Sequence, residues 1–307
     1  MNLDLLISAL SFILVALVAG NNLPVSAGVL ISGRIIRART GLLIVIAGYI
    51  IGLLVQGRLL GFGFNAIMPV QTQLFVTIAL AVSTVIFIAT HFGKVIGSLG
   101  IALAATLLGI SIAAGEAINT GYVLLMLLVW ILAPVLSLVI TAQVLRGAGR
   151  SIARMHIWKT ASALKLALIA LCFITAFSIG ANTLGLVLAA ARQYTSMLVM
   201  AVAVIAGSLL FWRGELHMVG DRLIPIRYLN AFIAQMDAAV FTEVATLFGI
   251  PIATSQVFTA GVLGAGLGYR TRVLLKKPVL RILGMWLVNA VVGFVLGYVI
   301  TYIALGI

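Results

Sequence analysis

Along the 307 residues of this chain, long apolar runs alternate with short polar or basic interruptions. The runs cover 3–33, 41–57, 71–92, 95–114, 120–145, 161–190, 195–212, 230–249, 251–268 and 283–305. Each comes close to the ~20 residues that a helix needs to cross a hydrocarbon core of about 30 Å. Two of the runs are broken internally, by Gly20-Asn21-Asn22 and by Gly180-Ala181-Asn182-Thr183, with Asn182 following Asn21 by 161 residues. Asn21, Asn22, Pro24, Ser26 and Gly28 crowd the first break, and Asn182, Thr183 and Gly185 the second. Backbone groups freed by a break cannot be satisfied by lipid, so the break must be buried in protein or line a watery cavity. A half-helix starting there would present N–H groups and a positive dipole end, which suits an anion. Paired breaks at matching places in two halves point to a solute site on a path through a membrane. The other reading is tight helix packing through small and amide residues.

Composition removes the soluble alternative. Hydrophobic residues make up 64% of the chain, charged residues 8%, and mean hydropathy is +1.29; a soluble domain carries about 25% charged residues. The expected fold is an all-α polytopic protein whose solvent is the lipid bilayer of the cytoplasmic membrane. The net charge of +13 points to no nucleic acid partner, since no loop is long enough to build a basic face. It reads instead as topology. Residues 34–40, 146–165, 213–229 and 269–282 together hold sixteen Lys and Arg, while the opposite side keeps Arg58 and Arg192. With the basic side inside, both termini are expected outside. The first run begins with Asn2 and Asp4 rather than a basic stretch, and is expected to be a retained span. Five runs fall on each side of the basic stretch 146–160, so the halves 1–150 and 151–307 are expected to be repeats of inverted topology. Landmarks recur between them in order: Ala89-Thr90 with Ala245-Thr246, Trp130 with Trp286, Thr72-Gln73 with Ala234-Gln235, and Asn21 with Asn182.

A second pair of polar sites lies at the loop between the third and fourth runs of each half. The run Gly249-Ile250-Pro251-Ile252-Ala253-Thr254-Ser255-Gln256 places hydroxyls and N–H groups at a helix start, with Pro251 near its first position. The counterpart Gly93-Lys94-Val95-Ile96-Gly97-Ser98 is poorer in hydroxyls. The two loop tips either join fully crossing segments or re-enter at mid-membrane and meet. Lys94 is accordingly either a basic topology residue or an ammonium facing a bound anion. Asp237 and Glu243 lie within one apolar run, where carboxylates are costly and candidates for ion coupling or for pairing with an Arg. Cys172 stands alone and reads as a small buried hydrophobe. His91, His156 and His217 have no metal-ligand spacing, and no nucleophile set or phosphate loop is present, so neither cofactor, metal nor enzymatic machinery is expected.

At these residues the chain resembles the inorganic phosphate transporter (PiT) family, which carries G-A-N-D-x-A-N and G-L-P-V-S-T-T-H motifs once per half. Gly180-Ala181-Asn182-Thr183-Leu184-Gly185-Leu186 and, more distantly, Ala19-Gly20-Asn21-Asn22-Leu23-Pro24-Val25 follow the first motif. Residues 249–256 follow the second, and 93–100 keep mainly Gly93 and Ser98. The resemblance implies two inverted halves and a central oxyanion site, with Asn21, Asn22, Asn182 and Thr183 at the breaks and Ser98, Thr254 and Ser255 donating to the anion. The family's motif aspartate is Asn22 in one half and Thr183 in the other. Those aspartates are tied to sodium coupling, so their loss moves the expectation toward a proton as coupling ion or a channel-like mode. Neutral donors alone discriminate poorly between phosphate and sulfate, which makes sulfate the runner-up substrate. A non-transporting scaffold is the rival from another class, and assembly into a homo-oligomer is open.

Overall fold

The computed structural model describes residues 2–92, 97–152, 157–220, 228–268 and 276–307, and in these it is helical with no strand. In chain order the helices are α1 (Leu3–Asn21), α2 (Val29–Ser32), α3 (Ala38–Gln56), α4 (Leu60–Ile67), α5 (Gln73–Phe92), α6 (Leu99–Ala113), α7 (Thr120–Ile152), α8 (Ile157–Ile179), α9 (Gly185–Ala191), α10 (Met197–Gly220), α11 (Tyr228–Leu247), α12 (Thr254–Gly268) and α13 (Lys276–Leu305). Lys94 and parts of the basic loops lie outside the described residues.

Six stretches among the described residues are long and apolar enough to cross a membrane: 3–28, 38–67, 73–92, 120–147, 162–191 and 286–305. The remaining apolar runs fall short for identifiable reasons. α6 and α12 have 15 residues each, about 22 Å at 1.5 Å per residue, less than the hydrocarbon thickness. α11 carries Gln235, Asp237 and Glu243 along its length. α7 and α13 form the periphery and turn Leu124, Leu128, Ile131, Leu287, Val291 and Ile303 outward, as lipid-facing helices do.

The helices pack reciprocally. α1 lies on α10 and α5, as α8 lies on α3 and α11; α6 lies on α13, as α12 lies on α7. The closest approaches are backbone to backbone at glycine and recur with the halves exchanged. A Cβ on Gly52 of α3 would overlap the Phe177 carbonyl of α8, and one on Gly207 of α10 the Ala16 carbonyl of α1. Likewise a Cβ on Gly109 of α6 would overlap the Phe294 carbonyl of α13, and one on Gly264 of α12 the Leu138 carbonyl of α7. Lipid tails are as apolar as leucine, so helices associate here by close packing, for which small residues are required. The paired glutamines do not share this relation. Gln73 opens α5, exposed, and donates to Asp4 Oδ1 at 2.9 Å, whereas Gln235 is buried in the middle of α11.

The α5–α6 pair enters and leaves on one face. The backbone N–H of Val70, just before it, donates to the Glu116 carboxylate just after it at 3.3 Å. The α11–α12 pair is rooted toward the other end of α7, where Gly268 packs against Ala142 and Leu145. The two tips meet inside. A Cβ on Gly100, one residue into α6, would come 3.1 Å from the Ile252 carbonyl of the other tip. Each pair is therefore a helical hairpin, and the two tips touch inside the bundle. Replacing Gly264 with leucine should destabilise the chain by about 1–3 kcal/mol through overpacking. The check is the thermal unfolding midpoint of the purified chain in detergent, where an unchanged midpoint would contradict the packing.

Candidate functional site

The two breaks fall where the sequence places them, but they do not open into half-helices. Gly180–Leu184 forms a five-residue π-turn joining α8 to α9, and Pro24–Gly28 forms another just beyond Asn22. A π-turn keeps its N–H groups bonded within the segment, which satisfies the backbone in lipid without an exposed helix start. The described helix starts that do lie in the interior belong to α6 and α12, at the meeting hairpin tips. Ser98 caps α6 and accepts the Ile101 N–H at 3.4 Å. α12 begins at Thr254, three residues beyond Pro251, so the proline lies in the extended tip rather than in the first turn. Ser98, Thr254, Ser255 and Gln256 are all buried.

The tip 249–253 is held from three sides. Asn182 of the second π-turn donates to the Ile250 carbonyl at 2.9 Å and to Thr246 Oγ1 at 3.0 Å, and its Oδ1 accepts the Ile252 N–H at 2.9 Å. Tyr122 Oη donates to the Gly249 carbonyl at 2.6 Å, and Trp130 Nε1 donates to the Pro251 carbonyl at 2.7 Å. Gly249 turns the chain at φ +66°, with Leu59 and Gly63 packed against it from the α4 side. Asn182 thus positions the tip with its amide fully occupied. Asn21 is also buried, yet neither atom of its amide has a hydrogen-bond partner. Asn22 Nδ2 donates back to the Val18 carbonyl at 3.0 Å, and Thr183 is buried within its π-turn.

The hairpin tip, π-turns and α11 converge. Gln235 Nε2 donates to the Ser26 carbonyl of the first π-turn, while Gln235 Oε1 and Ser26 Oγ are buried without partners. Thr242 donates to Thr254 Oγ1 at 3.0 Å, which fixes the first residue of α12 on α11. Among the described residues the carboxylates find hydroxyls as partners. Asp237 accepts Thr141 Oγ1 at 2.6 Å and Ser137 Oγ at 3.3 Å, both from α7. Glu243, half-buried, accepts Ser178 Oγ at 2.9 Å, one helical turn before Asn182. Cys172 is buried in the apolar core. The clamps Tyr122 and Trp130 are 127 and 121 residues from their acceptors; no local motif marks them, although Trp130 stands out as a repeat landmark.

What this interior offers is a set of neutral donors and acceptors around two short-helix starts. The positive dipole ends of α6 and α12, together with hydroxyls from Ser98, Thr254 and Ser255, suit a small oxyanion. Among the described residues no group of His, Cys, Asp and Glu is arranged to hold a metal ion.

Comparison with known proteins bears on the chain as a whole. The family model described as Phosphate transporter family matches residues 18–297. The chain is 26% identical over 303 residues to a candidate phosphate permease of Methanocaldococcus jannaschii, covering 97% of this chain and 96% of that protein. In fold it is similar to a solved sodium-dependent phosphate transporter, with a TM-score of 0.83 over the whole of both chains at 14% identity.

The unequal bonding of the two asparagines makes a paired prediction. Asn182→Leu strands buried backbone groups of the tip, at about 1–3 kcal/mol each, whereas Asn21→Leu removes an amide that has no partners. Hydrogen exchange at residues 250–253 should rise in the first variant and stay unchanged in the second. Equal effects would contradict the assignment of Asn182 as the clamp.

Proposed function

This chain belongs to the phosphate transporter family, and we propose that it carries inorganic phosphate across the membrane by alternating access, with the anion held between the starts of α6 and α12. The observation that carries this reading is the meeting of the two hairpin tips, where Gly100 faces the Ile252 carbonyl. Two helix starts aimed at one buried region give an anion its compensation from N–H groups and dipoles without a buried cation. Ser98, Thr254 and Ser255 add hydroxyl donors, and Asn182 acts by setting the tip from which two of them project.

The halves 1–150 and 151–307 are inverted repeats in this reading, and the reciprocal packing and exchanged glycine contacts support it. Alternating access then follows as movement of each hairpin against the long helix of the other half, α6 against α13 and α12 against α7. Both termini, with the faces of Arg58 and Arg192, lie outside. Phosphate that still carries a proton could offer it to a carboxylate acceptor, but Asn22 and Thr183 supply none, so sulfate is a second substrate.

Asp237 is the residue assigned to coupling. It is buried on the hairpin arm α11, its hydroxyl donors come from α7, and so it bridges the parts that must move. Among the described residues no cation pairs with it. The only other carboxylate on α11 is Glu243, engaged with Ser178 of α8; α12 contributes no ionisable side chain. One proton taken up by the Asp237 carboxylate neutralises it and turns an acceptor into a donor. That weakens its tie to Thr141 and Ser137, and the proton's charge partly offsets that of the anion. Sodium coupling lacks the motif carboxylates a hard cation prefers.

Proteoliposomes loaded by uptake of labelled phosphate or sulfate test the reading. Phosphate uptake should be saturable, and Thr254→Ala with Ser255→Ala should weaken the apparent affinity by roughly 10–100-fold, from about 1.5–3 kcal/mol for a hydrogen bond to a charged group. Absence of uptake of both anions would overturn the proposal. An acid-outside pH gradient should stimulate uptake in the native chain and not in Asp237→Asn, which should retain downhill anion exchange. Stimulation by a sodium gradient, unaffected by Asp237→Asn, would overturn the coupling assignment.

A further inference from the structure

The transport reading leaves two basic residues unused, Arg58 and Arg192. α3 begins beside Arg34, Arg37 and Arg39 and ends at Arg58; α8 and α9 run alongside it and end at Arg192. The turn at Gly57–Leu59 packs on α9, with Gly57 against Gly185. Both arginines therefore stand at one end of the bundle, opposite Arg34 to Arg39. The same end carries Asp4, bonded to Gln73, and Glu116, bonded to Val70.

Both arginine side chains are exposed. Together they line one cavity of about 390 Å³, with Gly61, Leu188, Gln193 and Met197. No Asp or Glu lines it, and neither guanidinium meets a carboxylate among the described residues. Two like charges at one cavity repel each other, and an anion between them relieves that repulsion. Arginine is the side chain best shaped for tetrahedral oxyanions, through paired N–H donors. The volume exceeds that of a bare tetrahedral anion, so a hydrated oxyanion or a lipid phosphate group fits.

We propose that the cavity between Arg58 and Arg192 is a second oxyanion site, which takes a phosphate group at the mouth of the bundle. Arg192 follows Asn182 by ten residues of largely helical chain, or about 15 Å at 1.5 Å per residue. The cavity is thus set off from Asn182 along the chain, while the residues next to its lining, Leu59 and Gly63, pack on Gly249 of the tip. For free phosphate it concentrates the anion before entry, an effect that electrostatic focusing can make about tenfold or greater and that salt screens. That role in transport rests on the reading above; the binding itself does not.

Calorimetric titration of the full-length chain in detergent tests it, with inorganic phosphate and dioctanoyl phosphatidylglycerol as separate probes. At low ionic strength the native chain should bind phosphate in two classes, one of them lost as salt is raised. Arg58→Gln with Arg192→Gln should abolish the salt-sensitive class or weaken it about tenfold or more, while Arg58→Lys with Arg192→Lys should restore part of it. Thr254→Ala with Ser255→Ala should remove only the other class. If the glutamine pair loses phosphatidylglycerol binding but native and variant chains bind phosphate alike, the occupant is a lipid headgroup. If the glutamine pair binds both probes as the native chain does, or the native chain binds neither, the proposal is overturned. Loss of binding in the arginine variants beside unaltered binding in the Thr254 and Ser255 variants would sink the central site and leave this one standing.

Discussion

Every backbone N–H and C=O in the interior of this chain must find a partner inside the protein, because lipid offers none. That requirement is hardest to meet at 249–253, where the chain leaves one helix and starts another among buried side chains. Four side-chain hydrogen bonds meet it there, from Asn182, Tyr122 and Trp130. The solution binds three distant parts of the chain together. In this conformation the second π-turn, the long helix α7 and the tip are tied together, and the bonds from Tyr122 and Trp130 are the ones that movement of α12 against α7 has to break. The proposed anion site is a consequence of how a non-helical tip is made tolerable in a membrane.

The second requirement is proximity. Without a hydrophobic drive between helices, the bundle relies on glycine at the crossing points, and the crossings recur with the halves exchanged: Gly52 with Gly207, Gly109 with Gly264. The hairpins are the partly independent pieces of this arrangement. α6 and α12 are too short to cross, and each lies along the long helix of the opposite half. The polar load is unequal, however. α11 carries Gln235, Asp237, Thr242, Glu243 and Thr246, whereas α5 from Phe75 to Phe92 holds only Thr77, Ser83, Thr84, Thr90 and His91 as polar residues. The carboxylates lie on the second hairpin, which is where the proposed coupling residue sits.

Much of this was legible in the residues. Apolar runs of membrane length, the basic loops and the two Gly-Asn breaks point to the class of fold, and the hydroxyl-rich run 249–256 points to a buried helix start. The conformation at the breaks was not legible, because a π-turn and an unwound half-helix share the same glycine and amide residues. The role of Asn182 was also hidden. Its partners lie 64 to 70 residues away, and nothing local distinguishes an amide that clamps backbone from one that faces a ligand. Gln73 and Gln235 illustrate the opposite error, in which a shared sequence offset suggested equal places. One sits at a helix start in contact with Asp4 and the other deep in the bundle beside Ser26. The hydroxyl partners of Asp237 and Glu243 were hidden as well, since Ser and Thr on an apolar helix carry no charge pattern to betray them.

The interior is electrically spare: neutral donors, two helix starts, and carboxylates bonded to hydroxyls. Such a site holds an anion through oriented dipoles, and its selectivity and coupling depend on where that anion rests. Anomalous diffraction from crystals soaked in arsenate, a tetrahedral stand-in for phosphate, locates it directly. The predicted result is a peak between the starts of α6 and α12, within hydrogen-bonding distance of Ser98 and of Thr254 or Ser255. A saturated crystal with no peak there, or with its interior peak at a π-turn remote from both tips, would contradict the assignment of the hairpin starts as the anion site.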